Sequence, residues 1–431
     1  MDKMYDISEI QERVILVGVS VNENDDTEKS LEELSELVKT AGAVSIAKVI
    51  QNREARDNAT YVGKGKVEEI RLLIDELDAT GIVCDDDLTP AQLKNLKDEL
   101  QTKVMDRTLV ILDIFAKRAR TREGKIQVEM AQLKYRQQRL AGSSDYLSRL
   151  GGGIGTRGPG EKKLEVDRRL IRDRISTLRQ EIESLKKHRE LGRSLRQKNH
   201  TKVISIVGYT NAAKSTLLNH LTGADVFEEN ELFATLDPTT RSYKMQSGQE
   251  VLFTDTVGFI RKLPHNLIDA FKSTLEEAKY ADILVHVVDA SNENMDTQMH
   301  IVYETLEQLG VTDKPVITVF NKMDILKEKK LTEEENPYDM PILRDFKADY
   351  TLMASIKNNQ GIDELIADIE SVLREQKVYI ARTLKYESAG IIQKIRKYGE
   401  LLKEEYTEEG IEIECYVPVE IAGMIEKEQR K

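Results

Sequence analysis

VISIVGYTNAAKSTLLNHLTG, residues 203 to 223, reads as an apolar strand, a tight loop and a helix in direct succession. The loop runs Gly208, Tyr209, Thr210, Asn211, Ala212, Ala213, Lys214 and Ser215, against the phosphate-loop pattern G-x-x-x-x-G-K-[ST]. In such a loop the backbone N–H groups, with those of the following helix start, cradle the α- and β-phosphates of a nucleotide. Lys214 is placed to reach the β- and γ-oxygens, Ser215 to give its hydroxyl to Mg²⁺, and Thr216 follows at the phosphate-facing helix start. One position departs from the pattern: its second glycine is Ala213, whose methyl group would crowd the phosphates or disfavour a glycine-like backbone.

Three further motifs follow along the chain, with a switch-loop candidate before the first of them. FTDTVGF, residues 253 to 259, supplies D-x-x-G: Asp255 is expected to hold Mg²⁺ through water and the Gly258 N–H to meet the γ-phosphate, with Thr256 and Val257 between them. LFATLDPTT, residues 232 to 240, sits where a switch loop belongs; Phe233, Ala234, Thr235, Leu236 and Asp237 are its candidate nucleotide contacts. Thr235 is the choice for a metal-binding hydroxyl, with Thr239 and Thr240 as alternatives. The strand PVITVFNKMD ends in Asn321, Lys322, Met323 and Asp324. The Asp324 carboxylate can accept from guanine N1–H and N2–H₂, which adenine does not present, while Asn321 and the Lys322 stem support and cover the ring. Ser355, Ile356 and Lys357, in MASIKNNQGIDEL, stand where backbone contacts to the base commonly arise.

The four motifs predict a GTP/GDP site with Mg²⁺, with Lys214, Thr235 and Gly258 as its catalytic groups, and exclude an ATPase or a small-molecule kinase. Many GTPases place a glutamine just after D-x-x-G to orient the attacking water. Here Phe259 and Ile260 stand there, and neither side chain can hydrogen-bond to water. Unaided hydrolysis is therefore expected to be slow, on the order of one turnover in many minutes, unless another group positions the water.

Outward from this core, 431 residues suggest about three domains. The predicted class is a multidomain α/β protein: an N-terminal α/β domain (1–115), a basic helical, coiled-coil hairpin with a Gly-rich loop (116–198), the P-loop GTPase domain (199–375) and a small α+β C-terminal domain (376–431). RVILVGVS, AVSIAKVI and TGIVCDDDL read as N-terminal strands, LEELSELVKTAG and VEEIRLLIDELDATG as helices, the latter capped at Gly81; RTLVILDIFAKRA is a fourth strand candidate. Ile126, Met130, Leu133 and Leu140 mark one apolar stripe; Leu164, Ile171, Ile175, Leu178, Ile182 and Leu185 mark a heptad seam. Between them SRLGGGIGTRGPGE is too rich in Gly and Pro for a helix, so a long loop is expected to carry Arg149 and Arg157. SLRQKNH, residues 194 to 200, reads as a linker, and the C-terminal part as YIARTL and IEIECYVPVEI strands around a helical AGIIQKIRKYGELL.

The net charge of −12 hides an asymmetry. Between Lys117 and Lys198 there are 23 Lys and Arg against 10 Asp and Glu, the pattern of a nucleic-acid-facing module fused to acidic domains. No apolar run approaches the roughly 18 residues that span a bilayer. Cys84 and Cys415 are too few and too far apart for a disulfide framework or a zinc site, and a cytoplasmic, monomeric protein is expected.

GYTNAAKSTLLN, LFATLDPTTR, FTDTVGFIRKLPH, the upstream GTRGPGEKKLEVDRR and TYVGKGKVEEI together resemble the HflX-type ribosome-associated GTPases, from about residue 10 to 375. The resemblance implies binding to the large ribosomal subunit and its rRNA, splitting or rescue of stalled ribosomes, and hydrolysis stimulated by the ribosome. It places the hairpin, with Arg149, Arg157, Lys162 and Lys163, against RNA phosphates. Two positions depart from the family: Ala213 replaces its usual glycine, and Lys162-Lys163 replaces an uncharged polar pair. The alternatives are a ribosome-binding scaffold with a weak G domain, and peripheral contact of the basic hairpin with acidic membrane lipids.

Overall fold

Apolar runs bounded by turn residues build two separate sheets, one wholly and one mainly parallel. The computed structural model describes residues 11–21, 26–150, 159–198, 201–223, 232–264, 267, 276–332 and 343–429. The chain divides into two units.

The first unit comprises residues 1–185 with 231–233 and 261–271. Its elements are β1 (Arg13–Ser20), α1 (Thr27–Thr40), β2 (Val44–Asn52), α2 (Lys64–Glu76), β3 (Gly81–Cys84), α3 (Pro90–Leu100), β4 (Lys103–Asp106), α4 (Arg107–Arg118), α5 (Arg122–Leu150) and the first part of α6 (Pro159–Lys198). The sheet is parallel in the order β2-β1-β3-β4 and packs Ile15, Val17, Ile82 and Cys84 against Val67, Ile70 and Leu96.

Several expectations change here. RTLVILDIFAKRA is helix α4, because the Asp106 carboxylate accepts from Leu109 N–H at 3.0 Å and starts a helix where strand β4 ends. Helix α2 ends at Glu76, with Leu77 as its C-cap, rather than at Gly81, and Gly81 opens β3, where an added Cβ would lie 2.7 Å from the Lys103 carbonyl oxygen. Helix α3 went unread although Thr89-Pro90-Ala91-Gln92 forms a full capping box with Pro at the helix start.

The hairpin seam forms from Ile171 to Leu185, while the side chain of Leu164 lies outside the described residues. Ile126 and Met130 of α5 pack on Ile175 and Leu178 of α6, with Leu133, Ile171, Ile182 and Leu185 beside them. Tyr135 donates to Asp106 at 2.7 Å, and Arg139 pairs with the same carboxylate, which anchors α5 on the end of β4. The helices are longer than expected. Arg149 lies in α5, which runs to Leu150, and α6 starts at Pro159, a residue suited to the first helical turn. The expected linker at 194–200 is helical through Lys198. Arg157 lies outside the described residues, as do the side chains of Arg149, Lys162 and Lys163.

The second unit comprises residues 186–230, 234–260 and 272–431. It adds β5 (Lys202–Gly208), α7 (Lys214–Thr222), β6 (Thr239–Lys244), β7 (Glu250–Asp255), β8 (Ile283–Asp289), α8 (Met295–Gln308), β9 (Val316–Asn321), α9 (Met323–Thr332), β10 (Tyr350–Met353) and α10 (Ile362–Glu375). The sheet order is β10-β9-β8-β5-β7-β6, parallel except for the β6–β7 pair. The order reverses about β5, so the loop after β5 opens at the switch point where such sheets bind ligands.

The C-terminal part is β11 (Val378–Leu384), α11 (Ala389–Tyr398), β12 (Glu400–Thr407), β13 (Gly410–Val417) and α12 (Val419–Gln429), an antiparallel sheet in the order β11-β13-β12 with its own core. Here GELL turns from helix to strand: an added Cβ on Gly399 would lie 2.5 Å from the Tyr416 carbonyl oxygen, so Gly399 admits the chain to the sheet. Among the described residues no helix is long and apolar enough to cross a membrane.

Candidate functional site

The site is built at the carboxyl ends of β5, β7 and β9, all in the second unit. Strand β5 is buried and ends at Gly208, whose φ of 153° and missing side chain let it pass the Val287 carbonyl; an added Cβ would sit 2.3 Å from that oxygen. The loop then makes two left-handed steps, at Asn211 (φ 61°) and Ala213 (φ 74°), before α7 begins at Lys214. Ala213 thus occupies the backbone region that favours glycine, which is where the sequence departs from the phosphate-loop pattern.

At the start of α7, Ser215 Oγ donates to Asp255 Oδ2 at 2.7 Å and lies 2.7 Å from Thr235 Oγ1. Helix start, switch loop and strand end therefore place three oxygens together. Asp255 is fully buried, and its Oδ1 has no partner among the described residues. Burial pushes its carboxyl above the ordinary range, against the opposing pull of the Lys214 charge. Burial likewise lowers the Lys214 ammonium to about 8, which the Asp255 charge only partly offsets. Lys214 Nζ donates to the Tyr209 carbonyl at 2.7 Å. An all-oxygen set of two hydroxyls and a carboxylate with a spare lone pair fits a small hard divalent cation. Of the three candidate threonines, Thr235 is the one whose hydroxyl meets Ser215; Thr239 and Thr240 lie in β6, and Thr240 Oγ1 is engaged with Thr254 Oγ1 at 2.9 Å.

The D-x-x-G segment closes directly on the loop. Thr210 N–H donates to the Phe259 carbonyl at 2.8 Å, and Phe259 N–H donates to the Gly208 carbonyl at 3.1 Å. Gly258 is packed so that an added Cβ would meet Thr210 Cα and Cγ2 at 2.9 Å and Lys214 Nζ at 3.0 Å. Thr256 and Val257 are buried, and Thr256 Oγ1 donates to the Ile206 carbonyl at 2.8 Å. Phe259 is only 1% exposed, its ring inside the protein.

The base end is pre-formed. Asn321 Nδ2 donates to the Ala212 carbonyl at 3.2 Å, and its Oδ1 accepts from Ile356 N–H at 3.0 Å, tying the phosphate loop to the Ser355-Ile356-Lys357 turn. Ser355 Oγ donates to Asp324 Oδ1 at 2.8 Å, holding the carboxylate that would read guanine. Lys322, at φ 63°, pairs with Asp289 at 2.7 Å, which fixes its stem. Asp289 was not singled out in the sequence; it ends the apolar strand ILVHVVD and stands in register with Asn321. In the switch loop Ala234, Thr235 and Asp237 are partly exposed while Leu236 is buried. Phe233 belongs to the first unit, where its ring meets Phe115 edge-on at 4.7 Å.

Family models described as "GTP-binding GTPase N-terminal", "GTP-binding GTPase Middle Region" and "50S ribosome-binding GTPase" match residues 28–116, 118–196 and 203–322. Similar proteins named GTPase HflX include that of Lacrimispora saccharolytica, 62% identical over 98% of this chain and 97% of that protein. That of Caldanaerobacter subterraneus is 47% identical over 97% and 94%. That of Escherichia coli is 43% identical over 75% and 76%. Among solved structures, a GTP-binding protein from Sulfolobus solfataricus in complex with GDP aligns at 25% identity over 84% of this chain and 98% of that one, with a TM-score of 0.42.

Proposed function

The chain belongs to the HflX family of GTPases, and from that premise we propose that this GTP hydrolase works on the large ribosomal subunit, splitting or rescuing stalled ribosomes. The observation that carries the nucleotide half of this reading is the meeting of Ser215, Thr235 and Asp255 at 2.7 Å beside the buried Lys214. Mg²⁺ bound by those oxygens would draw off charge from the β- and γ-phosphates of GTP. Lys214 would exchange the Tyr209 carbonyl for phosphate oxygens, and Gly258 N–H would receive the γ-phosphate. Asn321 and Asp324 would hold the guanine edge against the Ser355 turn.

The ribosomal half rests on the basic hairpin of α5 and α6, whose excess of Lys and Arg suits rRNA phosphates. Arg149, Arg157, Lys162 and Lys163 at its loop end are the proposed contacts, in a monomer working in the cytoplasm. The left-handed Ala213 favours a second reading, a ribosome-binding scaffold with a weak grip on GTP.

The deciding experiment measures GDP and GTP affinity, then GTP turnover with and without large subunits. Turnover stimulated by subunits supports the enzyme; subunit binding indifferent to nucleotide supports the scaffold. Neutralising the four basic residues should flatten the salt dependence of subunit binding, by roughly 0.7–0.9 in log–log slope for each true phosphate contact. An unchanged slope would reject that surface, and binding of the hairpin to anionic vesicles instead of subunits would favour membrane contact.

A further inference from the structure

The water that attacks GTP needs a hydrogen-bonding group to hold it, and Phe259 offers none. Its ring is buried, as is the aliphatic side chain of the next residue, Ile260. Its main chain is equally committed: the carbonyl accepts from Thr210 N–H at 2.8 Å and the N–H donates to the Gly208 carbonyl at 3.1 Å.

Those two bonds press Thr210 against Gly258. The point where a Gly258 Cβ would stand is 2.9 Å from Thr210 Cγ2 and 3.0 Å from Lys214 Nζ. A phosphate-loop lysine reaches the β- and γ-oxygens, so this convergence marks the terminal-phosphate end of the site. Thr210 Oγ1 shares its Cβ with that methyl group and cannot be far from the same point. The residue is 6% exposed, and its hydroxyl is buried with no partner among the described residues. Three hydroxyls of the same site are engaged: Ser215 with Asp255, Thr235 with Ser215, and Thr256 with the Ile206 carbonyl. A buried hydroxyl with no partner is costly, and in a ligand cradle the ordinary reason for keeping one is the ligand.

We propose that the Thr210 hydroxyl is a catalytic group of GTP hydrolysis, orienting the attacking water in place of the glutamine that other GTPases carry after D-x-x-G. This rests on the reading of the site as a GTP hydrolase. The hydroxyl oxygen accepts one water hydrogen, and its own hydrogen is donated to a γ-phosphate oxygen. The water oxygen forms a bond to the γ-phosphorus as the bond to the β–γ bridging oxygen breaks, its electron pair leaving on GDP. The water proton ends on the released phosphate, and Thr210 is unchanged.

The test is single-turnover hydrolysis by the full chain at saturating GTP, with and without large ribosomal subunits, for Thr210→Val and Thr210→Ser. Valine keeps the shape and removes the hydroxyl; serine keeps the hydroxyl. Thr210→Val should lose roughly a hundredfold in the single-turnover rate with GDP affinity, measured separately, unchanged, and Thr210→Ser should keep most of the rate. A valine variant as fast as the parent would overturn the assignment. So would equal losses in both variants accompanied by weakened GDP binding, the mark of a packing role. A parent chain that binds GDP but turns over no GTP even with subunits would instead overturn the functional reading on which the assignment rests.

Discussion

Ser215 Oγ donates to Asp255 Oδ2 at 2.7 Å, joining the first turn of α7 to the end of β7 through side chains that are 40 residues apart. Removing the hydroxyl should matter only when a cation is present. Ser215→Ala is expected to weaken GDP binding by about tenfold in Mg²⁺, the worth of one charge-assisted contact. The same comparison in EDTA should show no difference. Titration calorimetry in the two buffers is the check; an equal loss in both would assign Ser215 to packing instead.

The state of Lys214 gives a pH signature. Burial leaves its ammonium titrating near 8 in the nucleotide-free protein, and bound phosphates would raise it. Its contribution to affinity is therefore complete below that value and is lost as pH rises above it, by up to about tenfold per pH unit. Proton uptake on GDP binding should appear at pH 8.5 and vanish at pH 7. Lys214→Met supplies the control, since guanine N1 also titrates on the alkaline side: the variant should bind weakly and lose the slope between pH 7 and 9.

Ala213 sits at φ 74° and ψ 36°. A non-glycine residue in that region costs about 1–2 kcal/mol, while glycine gives back about 0.4–1 kcal/mol through the greater freedom of the unfolded chain. Ala213→Gly should therefore stabilise the second unit by roughly 0.5–1 kcal/mol. Differential scanning fluorimetry should show its transition about 2 °C higher. A lower transition would mean the loop relaxes around alanine without strain.

How legible the site was depended on whether the chemistry is local. Phosphate loop, D-x-x-G and N-K-x-D are fixed by short spacings, so Ser215, Asp255 and Asn321 could be found before any fold was known. The sequence also located the departure at Ala213, but not that its φ is positive. Thr235 was chosen among three threonines on spacing alone, and only the hydroxyl contact with Ser215 separates it from Thr240. Asp289 and the unpartnered Thr210 hydroxyl were invisible, because their meaning comes from strand register and burial. At the fold level β1 and β2 were plain from their apolar runs. The run at Arg107 misled, because a fully buried helix and a buried strand share a composition, and the deciding feature was the Asp106 cap. The missed helix α3 had a legible capping box at Thr89.

Phe259 gives the last prediction. Its position invites the substitution Phe259→Gln as a repair of the catalytic machinery. The ring, however, is 1% exposed, and its backbone is stitched to Gly208 and Thr210. A glutamine there would enter the core with its amide unsatisfied, and the loss of aromatic packing resembles a large-to-small core change worth about 3 kcal/mol. Phe259→Gln should therefore lower the melting temperature and leave hydrolysis no faster than the parent's in single-turnover assays. Faster hydrolysis by a well-folded variant would show that the side chain at 259 reaches the attacking water, and would remove the reason for assigning that task to Thr210.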